Sequence, residues 1–152
     1  MANPYSEIFR ARGAKGFAAA GFVARFPMAM APIGIVAMLS QTHGEYWLAG
    51  AVSATYALTN ALAAPRISQF IDRLGQSRVV WPTTIVSVAA FAALILATNQ
   101  DWPVWTLFLS AFIAAAMPSF PAMVRARWTE LFRGRPELTT AFAFESAADE
   151  LV

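Results

Sequence analysis

Arg25 stands inside an apolar run, GFAAAGFVARFPMAMAPIGIVAML, with Phe26 and Pro27 directly behind it. A guanidinium about nine residues into such a run lies roughly 13 Å along a helix. At that depth in hydrocarbon a lone cation costs at least about 3 kcal/mol unless it is paired or reaches water. Two readings are open. The side chain can snorkel back to the headgroups, or it can face a cavity, where it would bind an anionic substrate or pair with a buried carboxylate. The acids near the end of the chain, Glu145, Asp149 and Glu150, are the partners available for such a pair. Glu145 and Asp149 are spaced i, i+4 and share a helix face. With a helix starting near Thr139, Asp149 lies about as deep as Arg25. Protonating an acid paired with Arg25 would free the arginine and bias a two-state protein, which is the chemistry of a proton-coupling switch. The alternative is a polar helix with these acids at its surface.

Few other residues offer chemistry. The chain has no cysteine and one histidine, His43, so thiol catalysis, Cys-ligated metal and a His-rich metal or haem site fall away. No nucleophile–base pair, metal cluster or phosphate loop is visible, so neither an enzyme, a metal nor a cofactor is expected. Tyr56, Thr59 and Asn60 form a polar patch in a second apolar run, with Asn60 either a substrate ligand or an interhelical hydrogen-bond partner. Met28, Met30, Phe112, Met117 and Phe120 could line an apolar cavity or fill a core.

The elements that position these residues are long and apolar. The chain is 58% hydrophobic and 13% charged, too apolar for a soluble domain of 152 residues. Four stretches, at about 16–39, 46–65, 79–98 and 104–124, each have roughly the 20 residues that a helix needs to cross ~30 Å of hydrocarbon. The expected fold is therefore an all-α membrane protein, a helical bundle of four complete transmembrane helices plus the start of a fifth from about 139. Residues 1–15 form a cytoplasmic N-terminal segment, and 16–152 a partial transmembrane bundle.

Charge orients the bundle. Arg10, Arg12 and Lys15 precede the first span; Arg66, Arg73 and Arg78 follow the second; Arg125, Arg127, Arg133 and Arg135 follow the fourth. The connections near 41–45 and 99–103 carry no basic residue, only Glu45 and Asp101. This alternation puts the N-terminus in the cytoplasm of a multi-pass protein in a cell membrane. The formal charge of +2 then needs no nucleic-acid partner, because the basic residues meet anionic lipid headgroups. Trp47, Trp102 and Trp105 fall at outer span ends, Trp81 and Trp128 at inner ones, where indole has both an apolar and a wet side. A cleaved signal peptide does not fit the first span, which is too long and is interrupted by Arg25 and Pro27. Tyr5, Ile8 and Phe9 share one face of an interfacial helix before it.

The outer connections read as tight hairpins and the inner ones as longer loops, so spans one and two, and three and four, form antiparallel pairs. Pro27 and Pro32, Pro82, and Pro118 and Pro121 interrupt three spans, each a kink or a hinge. The segment at 139–152 reads as the first part of a further helix, about 21 Å long and too short to cross. The chain is therefore expected to be a truncated N-terminal part of a longer protein.

The loop after the second span runs Ser68-Gln-Phe-Ile-Asp72-Arg73-Leu-Gly75-Gln-Ser-Arg78. Gly75 suits a helix terminus. Asp72 sits where the helix dipole disfavours a carboxylate, so it calls for compensation by an arginine or by another helix N-terminus. This segment resembles the signature loop of the major facilitator superfamily of secondary transporters, G-x-x-x-D-[RK]-x-G-[RK]-[RK] between helices two and three. Asp72, Arg73 and Gly75 match and Arg78 follows closely, whereas Ser68, Gln76 and Ser77 depart from it. The resemblance covers the whole chain as the first four helices and the start of the fifth, in a family with twelve helices in two six-helix halves. It implies alternating access of a small solute across the cytoplasmic membrane, proton coupling as one option, a gating role for Asp72, Arg73, Gly75 and Arg78, and the remainder of the transporter as partner. The family's arginine within helix four has no counterpart, since no charge precedes Arg125 in the fourth span. Substrate and direction of transport are open. The competing reading is a complete four-span protein that assembles into an oligomeric pore or exporter.

Overall fold

The computed structural model describes residues 4–152. Those residues form helices and no strand: α1 (Pro4–Ile8), α2 (Ala14–His43), α3 (Tyr46–Leu74), α4 (Gln76–Asn99), α5 (Val104–Ala114), α6 (Phe120–Phe132) and α7 (Glu137–Glu150). The all-α class expected from composition is the class observed. Two of these helices, α2 and α4, are long and apolar enough to cross a membrane. α3 has 29 residues but carries Ser53, Thr55, Tyr56, Thr59 and Asn60 along its apolar part. α5 has 11 residues, about 16 Å of helix.

The chain divides into two compact units, Met30–Pro118 and the pair of segments Met1–Ala29 and Ser119–Val152. The Met30–Pro118 unit is the aliphatic one. Ile35 and Leu39 of α2 meet Leu48, Ala49, Val52 and Tyr56 of α3. Ala90, Leu94 and Ala97 of α4 and Leu107, Ala111 and Ala114 of α5 complete that core, both sets at i, i+4, i+7. This spacing keeps one stripe of each helix inward, and the many alanines let backbones approach closely. Outward-facing residues are also apolar, among them Ile33, Leu62, Ile85 and Val88.

The turns of this unit follow from local chemistry. Gly44, at φ 69°, and Glu45 alone separate α2 from α3. The chain between α4 and α5 is also short and ends in Pro103. The inner connection is not the long loop expected. α3 continues through Pro65 to Leu74, and a single residue, Gly75 at φ 87°, separates it from α4. Only glycine takes that φ without strain, so Gly75 turns the chain while Asp72 and Arg73 remain in the last turn of α3.

The fourth expected span is not one helix. It breaks between Ala114 and Phe120, leaving α5 and α6 as separate helices. Pro118 and Pro121 lack the N–H groups that would bond the carbonyls of Ala114 and Met117, so the ladder fails on adjoining turns. Ser119 is extended, at ψ 94°, and Pro121 occupies the first turn of α6, where a missing N–H costs nothing.

The other unit is aromatic. α1 and α6 both pack on α7. Val124, Trp128 and Phe132 of α6 join Ile8, Ala14, Ala18 and Ala141 in its core. Trp128, expected at a membrane interface, is fully buried instead. Its ring lies 4.5 Å from that of Phe17 and stacks on Phe132 at 5.9 Å. α1 is likewise no free interfacial helix: Ile8 is fully buried and Phe9 meets Phe144 edge-on at 5.1 Å. α2 and α6 come very close at Gly21, where an added Cβ would collide with a methyl of Val124.

Candidate functional site

Three helices of the aromatic unit supply a charge network: the buried charges lie on α2 and α7, and α6 adds a more exposed one. α2 carries Arg25, four residues beyond Gly21, and the absence of a side chain at Gly21 lets α6 lie close. α7 presents Ala141, Glu145 and Ala148 inward, a stripe at i, i+4, i+7. Glu145 is the polar member of that stripe and is fully buried. Asp149, one turn further along, lies at the edge.

Arg25 binds both acids. Its Nη2 donates to Glu145 Oε2 and its Nε donates to Asp149 Oδ1 at 2.6 Å. The arginine is only 4% exposed, so it does not snorkel outward. Glu145 is satisfied on its other oxygen as well, accepting from the indole Nε1 of Trp128 at 2.8 Å. Asp149 bridges two cations, since its Oδ2 accepts from Arg125 Nη2 at 2.5 Å. Two guanidiniums and two carboxylates therefore balance. That balance matters because an unpaired charge in a dry site is strongly destabilising, whereas a fully hydrogen-bonded set is tolerated. Glu150 is exposed and takes part in no ion pair among the described residues.

A small cavity of about 260 Å³ opens beside the network, lined by Arg25, Asp149, Met28, Ala29, Pro121 and Val152. The two acids thus differ in setting. Glu145 is locked between Arg25 and Trp128, while the Asp149 side chain is 34% exposed and borders the cavity.

No known family, curated protein or solved structure matches this chain.

The remaining sequence candidates are dispersed. Asn60 of α3 donates from Nδ2 to the carbonyl of Ala115 at 3.0 Å. That carbonyl would bond Ser119 N–H in an unbroken helix, so Asn60 satisfies a group freed by the break. Ser53 donates to the carbonyl of Pro32 at 3.0 Å, a second interhelical bond in the same unit. Asp72, Arg73 and Arg78 are exposed and join no ion pair among the described residues, so the compensating partner expected for Asp72 is not found there. Met28 lines the small cavity and Met117 is buried, while Met30 and Phe112 face outward.

Sequence reasoning missed Arg125 and Trp128. Arg125 reads as one more basic residue after an apolar run, and Trp128 as an interface anchor. The available signal was their i, i+3 spacing, which puts cation and indole on one helix face. Two acids facing one arginine also called for a second cation.

Proposed function

We propose that this chain spans a cytoplasmic membrane, with its N-terminus inside, and forms part of a secondary transporter of the major facilitator type. The observation that carries the proposal is the buried pair of Arg25 and Glu145, extended by the partly exposed Asp149 and Arg125 beside a cavity and built on a helix long and apolar enough to cross a bilayer. Ionisable groups at such depth mark ion or substrate pathways. On this reading the bundle has four spans, the fourth discontinuous between α5 and α6, and broken helices are tolerated where other groups satisfy the freed backbone. The bond from Asn60 to Ala115 supplies such a group.

Outward apolar surface supports the membrane assignment. Only 17% of the apolar window of α2 and 22% of that of α4 are buried within the protein. Tyr46, Trp47, Trp102 and Trp105 are exposed at the helix ends of the Met30–Pro118 unit, as an aromatic belt requires. Asp72 and Arg73, exposed beside the one-residue turn at Gly75, offer a surface for a gating contact that forms in one state only.

Within this mechanism Asp149 is the proton acceptor. It is the accessible acid and the one shared by both arginines. Guanidinium keeps its charge at any relevant pH, so a proton on Asp149 breaks two ion pairs and frees the Nε edge of Arg25 to hold an anion, while its Nη2 stays on Glu145. Glu145 and Trp128 keep Arg25 positioned meanwhile.

The test uses the full-length protein in proteoliposomes, with an internal pH dye and a panel of small solutes. Solute-driven proton movement is expected, and Asp149→Asn should abolish it while solute exchange persists. Unchanged proton movement in that variant would sink the coupling role. Topology is checked separately, and the cysteine-free sequence makes single-cysteine labelling direct. Gln41→Cys and Gln100→Cys should react from outside and Ser77→Cys from inside.

A further inference from the structure

A second pocket in the aromatic unit, about 680 Å³, lies on α2 next to α7. Lys15, Ala18, Ala19 and Phe22 line it from α2, at i, i+3, i+4 and i+7, which is one continuous helix stripe. Phe9 and Phe144 supply further apolar surface, and Arg10 joins Lys15 as a second cation in the lining. No carboxylate lines the pocket. Neither Arg10 nor Lys15 belongs to an ion pair among the described residues. The order along α2 is cation first, then small and aromatic residues for about 10 Å toward the apolar interior of the helix.

That order is the order of a phospholipid, an anionic head followed by an acyl chain. We infer that this pocket holds one anionic phospholipid of the membrane, its phosphate between Arg10 and Lys15 and one chain along Ala18, Ala19 and Phe22. The inference rests on the membrane reading above but not on the transport mechanism. Basic pockets at the cytoplasmic ends of helices favour anionic headgroups for the same electrostatic reason. Ala18 and Ala19 contribute short side chains to the lining, and Phe9 and Phe144 add aromatic ones.

The experiment is native mass spectrometry of the full protein released from nanodiscs containing phosphatidylglycerol or phosphatidylcholine. One phosphatidylglycerol should stay bound, and phosphatidylcholine should not. Arg10→Gln with Lys15→Gln should weaken retention by about 25-fold, from two lost headgroup contacts. Arg133→Gln with Arg135→Gln, which removes as much charge away from the pocket, should leave retention unchanged. Ala19→Trp keeps both cations but fills the groove, and it should also expel the lipid. Equal loss in the Arg133 and Arg135 variant, or retention in Ala19→Trp, would overturn the pocket in favour of a diffuse basic girdle. A protein that never reaches the membrane fraction would overturn the membrane reading itself, and that result is seen before any lipid is measured.

Discussion

The two units bury polar groups in opposite ways. The Met30–Pro118 unit buries neutral ones, and its interhelical bonds run from Ser53 and Asn60 to backbone carbonyls. The aromatic unit buries a full charge pair, Arg25 with Glu145, and completes it with Asp149, Arg125 and Trp128. In the first, the Asn60 bond repairs what the helix break leaves open, and the Ser53 bond ties two intact helices. The second repairs nothing in the backbone and is costly to desolvate, so its presence asks for a functional reason. Neutral bonds hold a bundle together; a balanced charge network can change state when one proton arrives.

The largest expected effect tests the charged side of this contrast. Arg25→Met leaves Glu145 buried without its cation and should destabilise the protein by about 3–5 kcal/mol. Arg25→Met with Glu145→Leu removes both charges and should recover most of that loss, because Asp149 and Arg125 still pair. Thermal unfolding in detergent reads both, and a double variant no better than the single would mean that packing around Trp128, not charge, governs the site.

Asn60→Leu tests the neutral side. It strands the Ala115 carbonyl and should cost about 1–3 kcal/mol. A comparable loss to that of Arg25→Met would erase the distinction drawn between the units. Gly21→Ala probes the close approach that brings α6 to α2 near Arg25. Overpacking against Val124 should cost about 1–3 kcal/mol, and Val124→Ala should rescue it in a double-mutant cycle. Failure of that rescue would place the constraint at Gly21 elsewhere than at Val124. The smallest effect is expected for Ser53→Ala, about 0.6 kcal/mol, since the Pro32 carbonyl keeps its position within α2.

Two prolines interrupt α2 and two interrupt the run after Val104, yet only the second run breaks. Pro27 and Pro32 are five residues apart, more than one turn, so intact bonds separate the two gaps. Pro118 and Pro121 are three apart, and their gaps merge. Spacing was legible in the sequence, but hydropathy hid its consequence because the apolar run continues through the break. The same blindness made residues 66–74 read as loop: a charged, polar composition looks like a connection, whereas the backbone stays helical until Gly75 supplies the positive φ.

The sequence by itself determined that the chain is helical, where its apolar runs lie, and that Arg25 must either pair or reach water. These are consequences of local composition and of the energetic penalty on an unpaired cation. It also narrowed the partners to Glu145, Asp149 and Glu150, three of the four acids of one helix. Only the tertiary structure decided which of them Arg25 meets, since the pair with Glu145 joins residues 120 positions apart. Only it added Arg125 and Trp128, turned Trp128 inward and left Glu150 outside. Those choices depend on how α2, α6 and α7 pack, and packing is settled by residues such as Gly21 and Val124 that carry no chemical signal of their own.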